Sequence, residues 1–312
     1  MNATPLQYKT HHMKDKIFDA ILIGGSYAGL SAAMALGRSM RNVLIIDSGK
    51  PCNRQTPHAH NFITHDGETP AVIAAKARQQ VLAYPTVHLH QDFVTNVRKQ
   101  PEHFHVTTQS GTVYQGKKVL LATGVKDLMP DIKGFAECWG ISVLHCPYCH
   151  GYEVRQTSLG VLANGDMAYE MSKLIQHWSP DLTLFTNGTA TLSADQRQAI
   201  DNKGIRVVEK EVAEIVHEQG YLKQLVFHDG SSQPLTALFA KIPFAQYSET
   251  IPLDCTLNEM GYIQVDAMQK TNVPGLYAAG DCTYPFRALA MAVSSGAMAG
   301  AVMNKELIEE SF

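Results

Sequence analysis

The most constraining stretch of the sequence is Ile23-Gly24-Gly25-Ser26-Tyr27-Ala28-Gly29, because it joins two segments of different period. Residues 18–23 form an apolar run of strand length, and residues 30–38 are alanine-rich with helical spacing. A strand, a glycine turn and a helix in this order make the dinucleotide-binding arrangement. In it the glycines let the backbone approach a pyrophosphate, which rests on the helix N-terminus. The second glycine of that fingerprint is Ser26 here, so a side chain stands where the pyrophosphate passes. Residues 42–46 predict the next strand, which runs into Asp47, an acid at the spacing that suits ribose hydroxyls. This stretch predicts an α/β chain with a nucleotide cofactor; the alternative is a glycine turn in some other α/β protein.

The second feature is His145-Cys146-Pro147-Tyr148-Cys149-His150-Gly151-Tyr152-Glu153. Two cysteines two residues apart, flanked by histidines, suit a reversible dithiol/disulfide centre, since a neighbouring imidazole can stabilise a thiolate or carry its proton. Half a zinc site has the same spacing, but no second ligand pair stands at zinc distance in the chain. Residues 50–69 have turn composition and hold Asn53, His58, His60, Asn61 and His65. No carboxylate or cysteine joins these histidines at a convincing ligand spacing, so a loop over a cofactor is expected and no metal. Alternating segments at 88–97 and 103–108 predict strands, and 116–124 predicts a strand ending in the turn Ala122-Thr123-Gly124.

Composition narrows the setting. A chain of 312 residues with 45% hydrophobic and 18% charged residues is ordinary for a globular protein of two domains. A formal net charge of −3 gives no reason to expect nucleic acid or an anionic membrane as partner. Residues 1–12 read as a flexible tail. With Lys9, His11, His12, Lys14 and Lys16 and no apolar core, the N-terminus is not a secretory signal. No run is long and apolar enough to span a bilayer. A cytoplasmic location is expected, where six cysteines are not a structural disulfide framework. Cys52, Cys138, Cys255 and Cys282 are then isolated thiols, with Cys282 standing next to Asp281.

The run Ile23-Gly24-Gly25, the turn Leu121-Ala122-Thr123-Gly124, the block Cys146-Pro147-Tyr148-Cys149-His150-Gly151-Tyr152-Glu153 and the late Ala278-Ala279-Gly280-Asp281 together resemble the low-molecular-weight thioredoxin reductase family. The wording around the cysteines is closest to a branch that includes dithiol oxidases of the gliotoxin and holomycin type. The resemblance implies two Rossmann-like domains of three layers, with an FAD domain at 13–124 and 248–312 interrupted by an NAD(P)H-type domain at 125–247, in a homodimer. It implies FAD contacts at Gly24, Gly25, Ser26, Ala28, Gly29, Asp47, Asn53, Asn61, Val94, Ala122, Thr123, Gly124, Gly280, Asp281, Arg287 and Ala288. Where the family carries glutamine, Ala288 leaves only backbone to meet the flavin. The resemblance also makes Cys149 the flavin-proximal thiol and Cys146 the thiol that exchanges with substrate. His150 stands where the reductases have aspartate and could act as acid or base near neutral pH, with Glu153 to orient it.

The inserted segment repeats the strand, loop and helix at 158–162, Ala163-Asn164-Gly165-Asp166-Met167-Ala168 and 169–177. Its first fingerprint glycine is Ala163. The strand at 182–185 then ends in Thr186-Asn187-Gly188-Thr189-Ala190, with neither the carboxylate of an NAD site nor the arginines of an NADP site, and the nearest arginine is Arg197. NAD(P)H is therefore a doubtful cofactor. The expected activity is FAD-dependent thiol/disulfide exchange with a thioredoxin-like protein or a small dithiol/disulfide. Two variants of it are an oxygen-using dithiol oxidase and a reductase fed by another donor. A flavin-binding redox sensor, whose disulfide changes shape without turnover, is a third reading.

Overall fold

The computed structural model describes residues 16–247, 250–252 and 254–312. The tail expected at 1–12 lies outside the described residues. The chain forms two compact units. One holds the described residues up to Arg54 with Ala71–Lys126 and Ala245–Phe312, and the other holds Gln55–Pro70 with Asp127–Phe244. The segment Gln55–Pro70 thus groups with the second unit although it precedes most of the first in sequence.

The first unit is built on a seven-stranded sheet. Strands Val87–Gln91, Val43–Asp47, Ile17–Ile23 and Val113–Leu121 run parallel in that spatial order, and Leu276–Ala278 pairs parallel with the last of them. Strands Phe104–Thr108 and Val94–Lys99 extend the sheet antiparallel, so the alternating segment expected at 88–97 is two strands. Central strands are near-continuous apolar runs because both faces are covered. Helix Tyr27–Arg38 begins three residues earlier than its apolar period predicts, since Ser26 turns the chain in at an extended φ of −95°.

The long C-terminal helix Leu289–Glu309 lies along Tyr27–Arg38, and glycine makes this closeness possible. A Cβ on Gly296 would stand 2.1 Å from the Ala28 carbonyl oxygen. Its far end is held by charge: Lys118, almost fully buried, pairs with Glu306 at 3.2 Å and with Glu310, while the Tyr277 hydroxyl donates to Glu306. Burial alone would raise the Glu306 carboxyl, but Lys270, Tyr277 and Lys118 hold it down at about 2.

The second unit contains a five-stranded parallel sheet in the order Arg206–Val208, Leu182–Phe185, Leu159–Leu162, Ala237–Ala240 and Val143–Leu144. An antiparallel sheet of Val212–Glu218, Tyr221–Phe227 and Ser232–Pro234 belongs to the same unit. Helix Gly165–Ile175 follows the second glycine loop directly, four residues before the start predicted from apolar spacing, because Asn164 caps it. Helix Ala194–Asn202 opens with a capping box between Ser193 and Gln196.

Candidate functional site

In the first unit the glycine loop is folded tightly over the ends of two strands. Gly24 has φ +106°, and a Cβ there would stand 2.2 Å from the Ala122 carbonyl oxygen; one on Gly29 would stand 1.9 Å from the Gly24 oxygen. The Gly25 N–H donates to Asp47 Oδ1 at 3.0 Å, while Asp47 Oδ2 lies 3.4 Å from Arg78 Nη2. Ser26 supplies no side-chain cap to helix Tyr27–Arg38. The helix N-terminus is thus left with backbone N–H groups and no side chain of its own upon them, which suits an anionic group.

Most of the other expected cofactor residues belong to the same unit. Ala122 continues the strand by donating to the Ile23 oxygen at 2.8 Å, Thr123 follows it, and Gly124 turns the chain at φ +64°. Gly280 turns at φ +82°, donates to Ser295 Oγ at 3.0 Å, and a Cβ on it would meet the Ala28 methyl at 3.0 Å. Asp281 Oδ2 is 3.9 Å from the Cys52 thiol, and the Asn53 side chain hydrogen-bonds the Tyr27 hydroxyl. Arg287 donates its N–H to the Pro285 oxygen, and Ala288 is the N-cap of Leu289–Glu309, again without a side-chain cap. Val94 packs in the core beside Ile23 and Ile46. Asn61 belongs to the second unit, at φ +58° with its N–H donating to Asp66 at 2.7 Å. Arg78, which braces Asp47 from helix Pro70–Leu82, carries no sequence signal of that role.

The redox motif sits in the second unit on a single helical turn. Cys146 is the N-cap in extended backbone, Pro147 occupies the first helical position, and Cys149 lies one turn on, so the two Cα atoms are 5.3 Å apart and the sulfurs form a disulfide. Gly151 closes the turn by donating to the Pro147 oxygen at 2.7 Å. Glycine suits this position because a Cβ would stand 2.5 Å from the Pro147 carbonyl oxygen and 2.8 Å from the indole nitrogen of Trp178, which backs the turn. Trp178 also meets Tyr148 edge to face, yet nothing in the local sequence announces it. Tyr148 and Tyr152 are exposed beside the disulfide, with the Arg155 guanidinium over the Tyr152 ring.

His150 is largely buried, and that burial, with the nearby His145, pushes its imidazole down to about 4. At neutral pH it is an uncharged base, not a group poised between two states as the sequence suggests. Glu153 adds an opposing pull on His150, but its salt-bridge contact is with His60, at 3.6 Å. Burial raises the Cys138 thiol to about 11 and the Cys282 thiol to about 12, which makes both packing residues.

The second glycine loop is filled by its own side chains. Asn164 Oδ1 accepts from the Gly165 and Thr191 N–H groups at 2.9 and 2.8 Å, and its Nδ2 donates to the Thr189 oxygen at 2.8 Å. Asn187 Oδ1 accepts from the Val212 N–H at 2.8 Å. Arg197 lies between Asp201 at 3.2 Å and Glu209 at 3.4 Å. Asn164 thus occupies the first N–H of the helix, and Arg197 is already paired with two carboxylates.

The model of the pyridine nucleotide-disulphide oxidoreductase family matches residues 18–300. A thioredoxin reductase of Claviceps purpurea, tcpT, is 33% identical over 94% of this chain and 95% of its own. Another from Aspergillus oryzae, aclD, is 30% identical over 95% and 98%. Among solved structures, an oxidoreductase from Agrobacterium tumefaciens is 38% identical over 94% of this chain and 99% of its own, with a TM-score of 0.87. The chain belongs to the pyridine nucleotide-disulphide oxidoreductase family and is a disulfide oxidoreductase of the FAD-dependent, thioredoxin reductase type.

Proposed function

We propose that the protein oxidises a small dithiol through the Cys146/Cys149 disulfide and delivers the electrons to oxygen, without a pyridine nucleotide. The observation that carries this reading is the second glycine loop, where Asn164 caps the helix N-terminus and Arg197 is paired with two carboxylates. FAD, when bound, supplies two-electron transfer between the cysteine pair and the acceptor. Gly24, Gly25, Ser26, Ala28 and Gly29 would hold its pyrophosphate, Asp47 its ribose, and Gly280 and Asp281 its ribityl chain. Arg287 and Ala288 would meet the isoalloxazine end, with Asn53, Val94 and 122–124 as the remaining contacts.

Cys146 is the thiol that exchanges with substrate and Cys149 its partner. His150, uncharged at neutral pH, takes the proton of the incoming thiol. The exposed Tyr148 and Tyr152 offer apolar surface to a small substrate. The relatives' name supports a second reading, in which the partner is a thioredoxin-like protein disulfide.

Anaerobic titration of the yellow protein separates the two. Dithiothreitol is expected to bleach the flavin and NADPH to leave it unchanged; in air, peroxide should form in step with dithiol loss. Rapid bleaching at micromolar NADPH would sink the first reading, and NADPH turnover dependent on thioredoxin would establish the second. A homodimer is part of the same proposal, supported by exposed Met291 and Met298 on the C-terminal helix, and size-exclusion chromatography tests it. A cytoplasmic setting is supported by four free cysteines among the described residues. No helix among the described residues is long and apolar enough to cross a membrane.

A further inference from the structure

The histidine-rich segment Gln55–Pro70 has no part in the chemistry so far, yet it brings an imidazole to the redox motif. Backbone bonds from Ala59 N–H to the Glu68 oxygen and from Gly67 N–H to the Ala59 oxygen, at 2.8 and 2.9 Å, close it into a turn. Asn61 at φ +58° allows the tight return, and its N–H fixes Asp66. His60 lies between two carboxylates: Nδ1 is 3.6 Å from Asp66 Oδ1 and Nε2 is 3.6 Å from Glu153 Oε1. Its side chain is only 20% exposed, and its ring meets that of His150 edge to face, with centroids 6.3 Å apart. Among the described residues no group of three or more His, Cys, Asp or Glu side chains is placed to hold a metal ion.

We propose that His60 is a positioning residue for thiol/disulfide exchange: set between Asp66 and Glu153, it packs against the ring of His150 and keeps the Glu153 carboxylate from pairing with it. This role rests on the dithiol reading above. In that exchange the substrate thiol gives its proton to the His150 imidazole, and the sulfur forms a bond to Cys146 Sγ. The electron pair of the Cys146–Cys149 bond leaves on Cys149 as thiolate. The disulfide is itself the oxidant. His150 accepts the proton only while uncharged. The charged and titratable groups facing it are His145 from its own motif, Glu153 from the following turn and His60 from the Gln55–Pro70 segment. His60 faces Asp66, Glu153, His150 and, at 6.3 Å between ring centroids, His58. Glu153 raises His150 and His60 lowers it, so the two pull in opposite directions.

The test follows the imidazole of His150 by NMR titration of the oxidised holoenzyme, beside the pH profile of its single-turnover reaction with dithiothreitol. In the wild type the ring should titrate at about 4. In His60→Gln the midpoint should rise by roughly one unit or more, because the freed carboxylate now pairs with it. Glu153→Gln should move it the other way, and the acid limb of the dithiothreitol profile should move with the ring in both. His60→Phe, which keeps a ring but no nitrogen, should match His60→Gln and stands in for it should that variant fail to fold. A wild type that oxidises dithiothreitol while His150 titrates identically in all the variants would overturn the role of His60 alone. A wild type inert toward dithiothreitol would overturn the dithiol reading and this role together.

Discussion

The chain carries two strand–loop–helix turns of one plan, and they differ in what rests on the helix N-terminus. In the first, Gly24 stands at φ +106° against the Ala122 carbonyl, and Ser26 leaves the N-terminus of Tyr27–Arg38 without a side-chain cap. In the second, the left-handed position has moved to Gly165 at φ +58°, and the Asn164 amide caps Gly165–Ile175 while bridging to Thr189 and Thr191. A helix N-terminus has a fixed set of unpaired N–H groups, and a ligand and a side chain compete for them. In the first loop no side-chain cap competes for them; in the second, Asn164 takes the first.

The sharpest way to break this contrast is Gly24→Ala. A left-handed residue with a Cβ costs about 1–2 kcal/mol before any contact is counted. Here the Cβ would also stand 2.2 Å from a backbone oxygen that cannot turn aside. If that strain falls on the flavin-bound loop, affinity should drop about five- to thirtyfold, and the purified variant should be depleted of flavin. A G24A protein that purifies with a full complement of flavin, judged by absorbance against protein, would show that the first loop is not the anion seat.

Much of this was legible in the sequence because it rests on local rules. The loop glycines, Asp47 and the cysteine spacing each impose their geometry on immediate neighbours, and the parallel strands are readable as apolar runs. What the sequence hides depends on chain segments far apart. Arg78 meets Asp47 from 31 positions away, and Trp178 fixes Gly151 from another element. His60 was visible only as a member of a histidine-rich turn; its carboxylate partners come from that turn and from Glu153. The titration of His150 is equally illegible, since burial sets it and burial is a property of the folded unit.

A smaller effect sharpens the contrast at the caps. Asn164→Ala removes the acceptor of the Gly165 and Thr191 N–H groups and the donor to Thr189, and should cost about 1–2 kcal/mol, at the upper end of cap substitutions. Ser26→Ala removes a hydroxyl that does not cap its helix and should cost under about 0.5 kcal/mol. Urea unfolding of the two variants side by side measures the difference; equal losses would mean that the second loop is no more self-capped than the first.

The smallest effect is expected from restoring the missing fingerprint glycine. Ala163→Gly removes one partly buried methyl and loosens the end of strand Leu159–Leu162, where the Ala163 N–H donates to the Phe185 oxygen at 3.2 Å. The cost should be about 0.5–1 kcal/mol of stability. It should bring no response to NADPH, because the Asn164 bridge still covers the helix N-terminus and Arg197 remains between Asp201 and Glu209. Bleaching of the A163G flavin by micromolar NADPH under argon would locate the whole defect of the second loop in that single methyl, and the filled cap and the paired arginine would no longer account for it.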